Sequence, residues 1–502
     1  MDSLGLLGQG FATALEPANL IFLVIGVVIG QIIGALPGIG PAAGMALLLP
    51  LTFGMTPVTA IVMLAGIMYG GMYGGTLTSV LVNVPGESSS VMTAVDGYQI
   101  ARRGRAGAAL SIAAIGSFFA GIITAVVLVF VTPPLSEFAL KFNAPEYFLL
   151  AALGITASAS LGSSSAIKAL MAAVLGLMVA LVGVDPIVGL PRLTFDVPAM
   201  IEGIDFLPVA IGIFGIAEVL SSLEKMQEMQ PIRTRLRDMW LTAEEWAESR
   251  MAILRGTLVG FFVGILPGAG PTIAAMMAYV TEKRFSRRPE RFGHGALDAV
   301  AAAESANNAA AQGALVPMLS LGIPGSASTA VLLAALILQG IQPGPNLMTQ
   351  QSALVWGLIA SMFIGNVILL VINLPLAPAF ASILRIPYVY LAPGILMISL
   401  VGAYASTNSF YTVIVALAFG VIGWFMIKLD FPRAPLVLAV VLAPLLETSL
   451  RQSLLLSFGS PLIFVERPLS AVLLILVVVS LALPAYGAMR RHLGRAPKAD
   501  PV

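Results

Sequence analysis

The chain has 502 residues, 58% of them hydrophobic and 10% charged, with a formal net charge of +1, whereas a soluble globular domain has roughly 45–50% apolar and about 25% charged residues. So few polar groups cannot cover a water-soluble fold of this size, and a near-neutral chain without a long basic run has no electrostatic footprint for nucleic acid. With no cysteine and two histidines, His294 and His492, disulfide, thiolate and zinc chemistry have almost nothing to work with.

Apolar runs of about 20 residues recur along most of the chain, and the alternating pattern of a membrane barrel does not. The expected fold is an all-α polytopic membrane protein of about 11–13 membrane segments, several of them re-entrant or broken helices. The N-terminus carries Asp2 and Glu16 but no Lys or Arg before the first apolar run, Leu20 to Leu36. It therefore lacks the basic region of a cleaved signal peptide, and that run is expected to stay as a membrane helix. No lysine lies in a Walker-type loop, so energy input is expected from an ion gradient or a partner.

Gly26 to Pro41 (GVVIGQIIGALPGIGP) matches Gly256 to Pro271 (GTLVGFFVGILPGAGP) at an offset of 230 residues. VPG at Val84 to Gly86 answers IPG at Ile323 to Gly325 at 239, and Pro133, Phe138, Ala139 and Pro145 answer Pro375, Phe380, Ala381 and Pro387 at 242. A slowly growing offset is what one duplicated half with small insertions leaves. The expected organisation is a membrane repeat at 1–222, a charged cytoplasmic linker at 223–250, a second membrane repeat at 251–456, and a final transmembrane helix with a basic cytoplasmic tail at 457–502.

In the first LPG unit, Pro37, Gly38, Gly40 and Pro41 break the helix at membrane depth, as Pro267, Gly268, Gly270 and Pro271 do in the second. Backbone freed there must line a cavity or a packed interior, because lipid cannot satisfy it. A half-helix N-terminus offers N–H donors to a carboxylate, and unwound carbonyls suit a sodium ion at the same loops. Kinks that merely allow close helix packing are the competing reading. NVPGESSS places Asn83, Pro85, Gly86, Glu87, Ser88 and Ser89 around a second break, and GIPGSAST keeps Pro324, Gly325 and Ser326 without the acid. The serines suit N-caps as well as they suit a ligand, and Glu87 also fits a water-facing position.

The linker LEKMQEMQPIRTRLRDMWLTAEEWAESR is the most charged stretch, and Thr242 and Glu245 have the spacing of a capping box. Its Lys225, Arg233, Arg235, Arg237 and Arg250, with Arg490, Arg491, Arg495 and Lys498 of the tail, favour the cytoplasm. Arg250 and Arg255 precede the second LPG unit and Lys283, Arg284, Arg287, Arg288 and Arg291 follow it, which implies a re-entrant hairpin. Arg102, Arg103 and Arg105 follow the VPG loop, but no cation follows the IPG loop in QPGPNLMTQQ. The N-terminus is then expected in the periplasm, the C-terminus in the cytoplasm, and the two repeats in inverted topology.

Ahead of IPG, the segment AAAESANNAAAQG sets Glu304, Asn307 and Asn308 on one helical face by i, i+3, i+4 spacing, with Ser305 beside them. A charge near the bilayer centre costs about 2.5–3.5 kcal/mol, so this face is expected to line a pathway, with interhelical hydrogen bonding as the alternative. His294 reads as solvated, and Glu146, Asp185 and Glu447 as capping or ion-binding groups beside prolines.

The two LPG units, YGGMYGGTLTSVLVNVPGE (Tyr69 to Glu87), DGYQIARRGRAGAAL (Asp96 to Leu110), AAAESANNAAAQGALVPMLSLGIPGS (Ala301 to Ser326) and FPRAPLVLAVVLAPLLE (Phe431 to Glu447) together resemble the large membrane subunit of the bacterial tripartite tricarboxylate transporters. The resemblance covers nearly the whole chain. It implies a non-enzymatic permease of the bacterial inner membrane, working with a small four-helix membrane subunit and a periplasmic substrate-binding protein. Uptake of tricarboxylates or related small carboxylates on a sodium or proton gradient is implied, with no cofactor. A stand-alone ion-coupled carrier for another organic anion is the alternative within transport. An intramembrane enzyme is the alternative from another class, and no HExxH motif supports it.

Overall fold

The computed structural model describes residues 3–36, 39–161, 165–224, 232, 236–383 and 388–493. Pro37 and Gly38 of the first LPG unit, Pro387, Lys225, Arg233 and Arg235 of the linker, and Arg495 and Lys498 of the tail lie outside the described residues.

After α1 (Ser3–Ala14), the first half runs through α2 (Pro17–Ala35), α3 (Gly40–Leu48), α4 (Pro57–Val82) and α5 (Val91–Ile100), from which the chain kinks at the left-handed Gly104 into α6 (Ala106–Ala139). Then come α7 (Ala144–Leu161), α8 (Ala166–Ala180) and a small antiparallel hairpin pairing Gly183 with Arg192 and Val184 with Pro191. The half closes with α9 (Phe206–Ala210), a π-helical segment and α10 (Ala217–Glu224).

The second half runs through α11 (Ala243–Ile265), α12 (Gly270–Phe285), α13 (Leu297–Gly313) and α14 (Leu315–Leu321), followed by α15 (Ala327–Leu338) and the short α16 (Leu347–Gln350). It continues through α17 (Ser352–Ile383), α18 (Tyr388–Thr407), α19 (Phe410–Lys428) and α20 (Ala434–Leu456), and the chain ends with α21 (Ile463–Glu466) and α22 (Pro468–Leu493). Among the described residues, eight helices are long and apolar enough to cross a membrane, and five shorter apolar helices accompany them. The molecule is an all-α polytopic membrane protein. α11 opens at Thr242 with the capping box its spacing predicts: Thr242 Oγ1 accepts from the Glu245 amide, and the Glu245 carboxylate accepts from the Thr242 amide.

Two helices form the centre. α4 is buried along nearly its whole length, and every residue of α13 is buried. Both are rich in Gly or Ala, which lets backbones approach without large side chains between them. Gly26, Gly30 and Gly34 of α2 lie so close to α4 that a Cβ there would collide with the backbone oxygens of Met63, Ile67 and Gly71. Gly256, Gly260 and Gly264 of α11 lie in the same way against Ala302, Ala306 and Ala310 of α13. The glycine spacing common to both halves thus does the same packing work in each. Outer helices such as α8, α19 and α22 instead present Met171, Ile414 and Ile475 outward, as lipid-facing surfaces do.

Candidate functional junction

The helix breaks of both halves meet at one place. In the second half α11 gives way to extended backbone at Leu266, Gly268 and Gly270 take left-handed conformations, and α12 starts with Pro271 in its first turn and no side-chain cap. In the first half Gly40 is likewise left-handed, and α3 starts with Pro41 and no side-chain cap. Glycine is required at these turns because a Cβ disfavours positive φ. The Gly268 amide donates to the Gly325 carbonyl at 3.1 Å, tying the LPG break to the IPG loop. Pro267 is partly exposed, whereas Pro271 and Pro41 are buried.

The Pro-Gly loops also correspond. Asn83 ends α4 and Gly322 ends α14, both left-handed, so Asn83 has a backbone reason for its identity as well as an exposed side chain. Gly86 packs on the Gly34 carbonyl and Gly325 near the Gly264 carbonyl. Ser326 and Thr329 form a capping box at α15, and Ser326 lies nearest Gly270. Glu87 holds the matching position over Gly40 and forms a capping arrangement with Ser90. The N-cap role foreseen for the serines is taken by Ser326, whereas in the first loop the N-cap is Glu87 and the Ser90 hydroxyl accepts from its amide. Ser89 instead donates to the Glu87 carboxylate. Ser88, which is exposed, meets Thr272 at the start of α12 through a 2.8 Å hydroxyl contact that joins the halves. Pro85 is half-buried and Pro324 buried.

The polar face of α13 is buried at this junction. Glu304 accepts hydrogen bonds from Thr76 of α4 at 2.7 Å and from Thr93 of α5. Asn307 flanks the Glu87 carboxylate, and Glu87 and Glu304 lie within electrostatic reach of each other. Asn308 Nδ2 donates to the Ser117 carbonyl of α6 at 2.5 Å and, at 3.4 Å, to Asn366 Oδ1 of α17. Ser305 is fully buried beside Gly116. Helical spacing found this face, but it did not find Thr76, Thr93, Ser117 or Asn366. One signal was present for Asn366: it and Asn373 stand two turns apart on an otherwise apolar helix.

Other candidates fall outside the junction. His294 is exposed. Glu146 caps the start of α7 by accepting from the Asn143 amide, and also takes Arg467 at 2.7 Å and Ser470 of α22. Asp185 accepts from the Ile187 and Val188 amides and pairs with Arg192 and Arg451, while Glu447 takes both terminal nitrogens of Arg192. Among the described residues no three His, Asp or Glu side chains come together as a metal site.

The fold and this junction define a membrane protein built on a twice-used broken-helix unit, with hydroxyls, carboxamides and two carboxylates at its centre. The chain belongs to the tripartite tricarboxylate transporter TctA family, whose sequence profile matches residues 20–438; the family is that of the large permease subunit of those transporters. A protein of Agrobacterium vitis, described as an uncharacterized 52.8 kDa protein in the TAR-I ttuC' 3' region, is 45% identical over 493 residues, 98% of each chain. A second A. vitis protein, described as uncharacterized in the TAR-II ttuC' 3' region, is 43% identical over 231 residues, 46% of this chain and 96% of its own length. No solved structure matches.

Proposed function

We propose that this chain takes up a tricarboxylate or related small carboxylate across the bacterial inner membrane on a sodium or proton gradient. It is fed by a periplasmic substrate-binding protein and assembled with a small four-helix membrane subunit. The observation that carries this reading is the meeting of the two uncapped helix starts, at Gly40 and Gly270, with both Pro-Gly loops around the exposed Ser88–Thr272 contact. Free N–H groups and the positive ends of two helix dipoles attract carboxylates, and neighbouring hydroxyls hold them without burying a full protein charge. Glu87 beside this place repels a bare anion, which is the physical reason to couple uptake to a cation.

The two halves are taken to be inverted, with α11 and α12 as a re-entrant hairpin, so that two equivalent structures exchange access around one site. The N-terminus is then periplasmic and the linker and tail cytoplasmic, as the arginine distribution favours.

The reading is tested by uptake of labelled citrate and shorter dicarboxylates into proteoliposomes holding the reconstituted system, with sodium and pH varied separately. Uptake that needs the binding protein is expected. Absence of uptake for every carboxylate by a folded, assembled system would refute the substrate class, and equal rates without the binding protein would remove that partner. Inversion has its own test, because Arg103 and Asn346 are both exposed and the chain has no native cysteine. An impermeant thiol reagent on spheroplasts should label Asn346→Cys and spare Arg103→Cys until the cells are opened. Labelling of both from one side would mean parallel repeats.

A further inference from the structure

Beside the junction, α4, α6, α13 and α17 enclose a small cavity lined by Tyr69, Ser117, Asn307, Asn308, Asn366 and Asn373 among others, with room for a single water-sized guest at about 10 Å³. Among the described residues no basic side chain lines it. Asn307 and Asn373 are each about 98% buried or more, and the carbonyl oxygen of each carboxamide has no hydrogen-bond partner. A buried unpartnered polar atom costs about 1–3 kcal/mol, and two of the same kind facing one small space point to a shared guest. Both carboxamide oxygens are acceptors, which favours a donor or a cation as the guest, and the Tyr69 hydroxyl, also without a partner among the described residues, lines the same space and can accept from that guest or donate to it. Asn366 Oδ1 adds a third oxygen, which among the described residues accepts a long 3.4 Å bond from Asn308.

The surrounding charge separates a cation from a water. Glu304 lies one turn before Asn308 on α13, Asn307 flanks Glu87, and Tyr73, another lining residue, lies within electrostatic reach of Glu304. The groups facing this region from its neighbours are hydroxyls: Thr76 of α4, Thr93 of α5 and Ser89. Two acids with no basic partner among the described residues stand beside the cavity and supply negative charge there when ionised, and carboxamide oxygens supply neutral hard ligands of the kind that replace a hydration shell.

We infer that this cavity is a binding site for a sodium-sized monovalent cation, with the carboxamide oxygens of Asn307, Asn366 and Asn373 as ligands. The inference rests on the proposed cation-coupled reading and names the place of the cation. It also separates two jobs on α13: Glu304 supplies charge nearby when ionised, and the Asn face binds. The bond from Thr76 to Glu304, at 2.7 Å, leaves no gap for an ion between those two oxygens, which directs the ion to the cavity.

The test is thermal unfolding of the purified full chain in detergent, titrated with NaCl, LiCl or KCl against choline chloride at constant ionic strength and at several pH values. Sodium should raise the midpoint along a saturating curve, with potassium much weaker. Asn373→Leu should raise the half-saturating sodium concentration by at least about tenfold, the equivalent of one lost ligand, whereas Asn373→Asp, which keeps the oxygen, should retain the effect. If the leucine variant fails to fold, the wild-type cation series and the aspartate variant decide. Identical midpoints in sodium and choline would show that the cavity holds only water and overturn the site. So would a stabilisation that follows pH alone, which would place a proton on Glu304, or a sodium effect unchanged in Asn373→Leu. Because the readout is binding, sodium stabilisation without carboxylate transport would break the transport reading and leave this site standing. Carboxylate transport without sodium stabilisation would do the reverse.

Discussion

Charges at the rim of the molecule and charges at its centre are handled in opposite ways. At the rim, acids meet arginines: Glu447 with Arg192 at 2.5 and 2.7 Å, Asp185 with Arg451 at 2.7 Å, Glu282 with Arg255 at 2.6 Å and Glu146 with Arg467 at 2.7 Å. At the centre, Glu304 and Glu87 meet hydroxyls, with no basic partner among the described residues. In every rim pair the arginine stays a quarter to two-fifths exposed, so water reaches one partner and screens the pair, even where the acid itself, as at Glu146 and Glu282, is buried. A buried carboxylate without a counter-charge costs several kcal/mol, so its retention at the centre calls for a reason other than stability. Fixed compensation ties elements together at the rim, and its absence at the centre is what the proposed cation site answers.

The largest effect should follow from removing the central polar groups. Glu304→Gln or Asn308→Ala is expected to lower uptake by about 10- to 150-fold, the range for losing one charge-assisted bond or one coupling contact, while the amount of folded protein in the membrane changes far less. Wild-type uptake by both variants would erase the difference between centre and rim.

A smaller effect, on stability and not on chemistry, should come from the glycine faces that frame the centre. Gly30→Leu in α2 and Gly260→Leu in α11 each drive a side chain into the backbone of the helix opposite. Each should cost at least about 1–3 kcal/mol, read as a lowered unfolding midpoint of the detergent-solubilised chain. Similar losses in both would sharpen the equivalence of the halves, and a loss in only one would break it.

The smallest effect is expected at the rim. The Val188 and Ile187 amides and the Arg451 guanidinium hold the Asp185 carboxyl well below the usual carboxylate range. A depressed acid stabilises the fold fully above its unfolded value of about 3.9 and loses that contribution as pH falls further. Asp185→Asn should therefore flatten the acid limb of the stability profile below about pH 4 and leave uptake at neutral pH nearly unchanged. An uptake loss as large as that of Glu304→Gln would make the rim part of the transport machinery.

Much of this was legible in the chain itself. Hydropathy alone dictates a helical membrane protein, because in lipid each helix must satisfy its own backbone. The duplicated LPG units announce two equivalent breaks, Thr242 and Glu245 announce the start of α11, and i, i+3, i+4 spacing sets the Glu304 face. These are short-range properties, decided within a few residues by backbone geometry and by the periodicity of one helix.

Tertiary structure decided which faces meet. Thr76 and Thr93 reach Glu304 across more than 200 residues of sequence, as do Arg192 to Glu447 and Arg467 to Glu146. Asn366 and Asn373 read as two amides on one turn-spaced face of α17, with no partner named, until that helix is seen beside α13 and α4. Helical periodicity tells which residues share a face and never which neighbour that face is turned towards. That choice is made by the close approach of the Gly and Ala surfaces of α2, α4, α11 and α13, a property of pairs of helices that no single stretch of sequence contains.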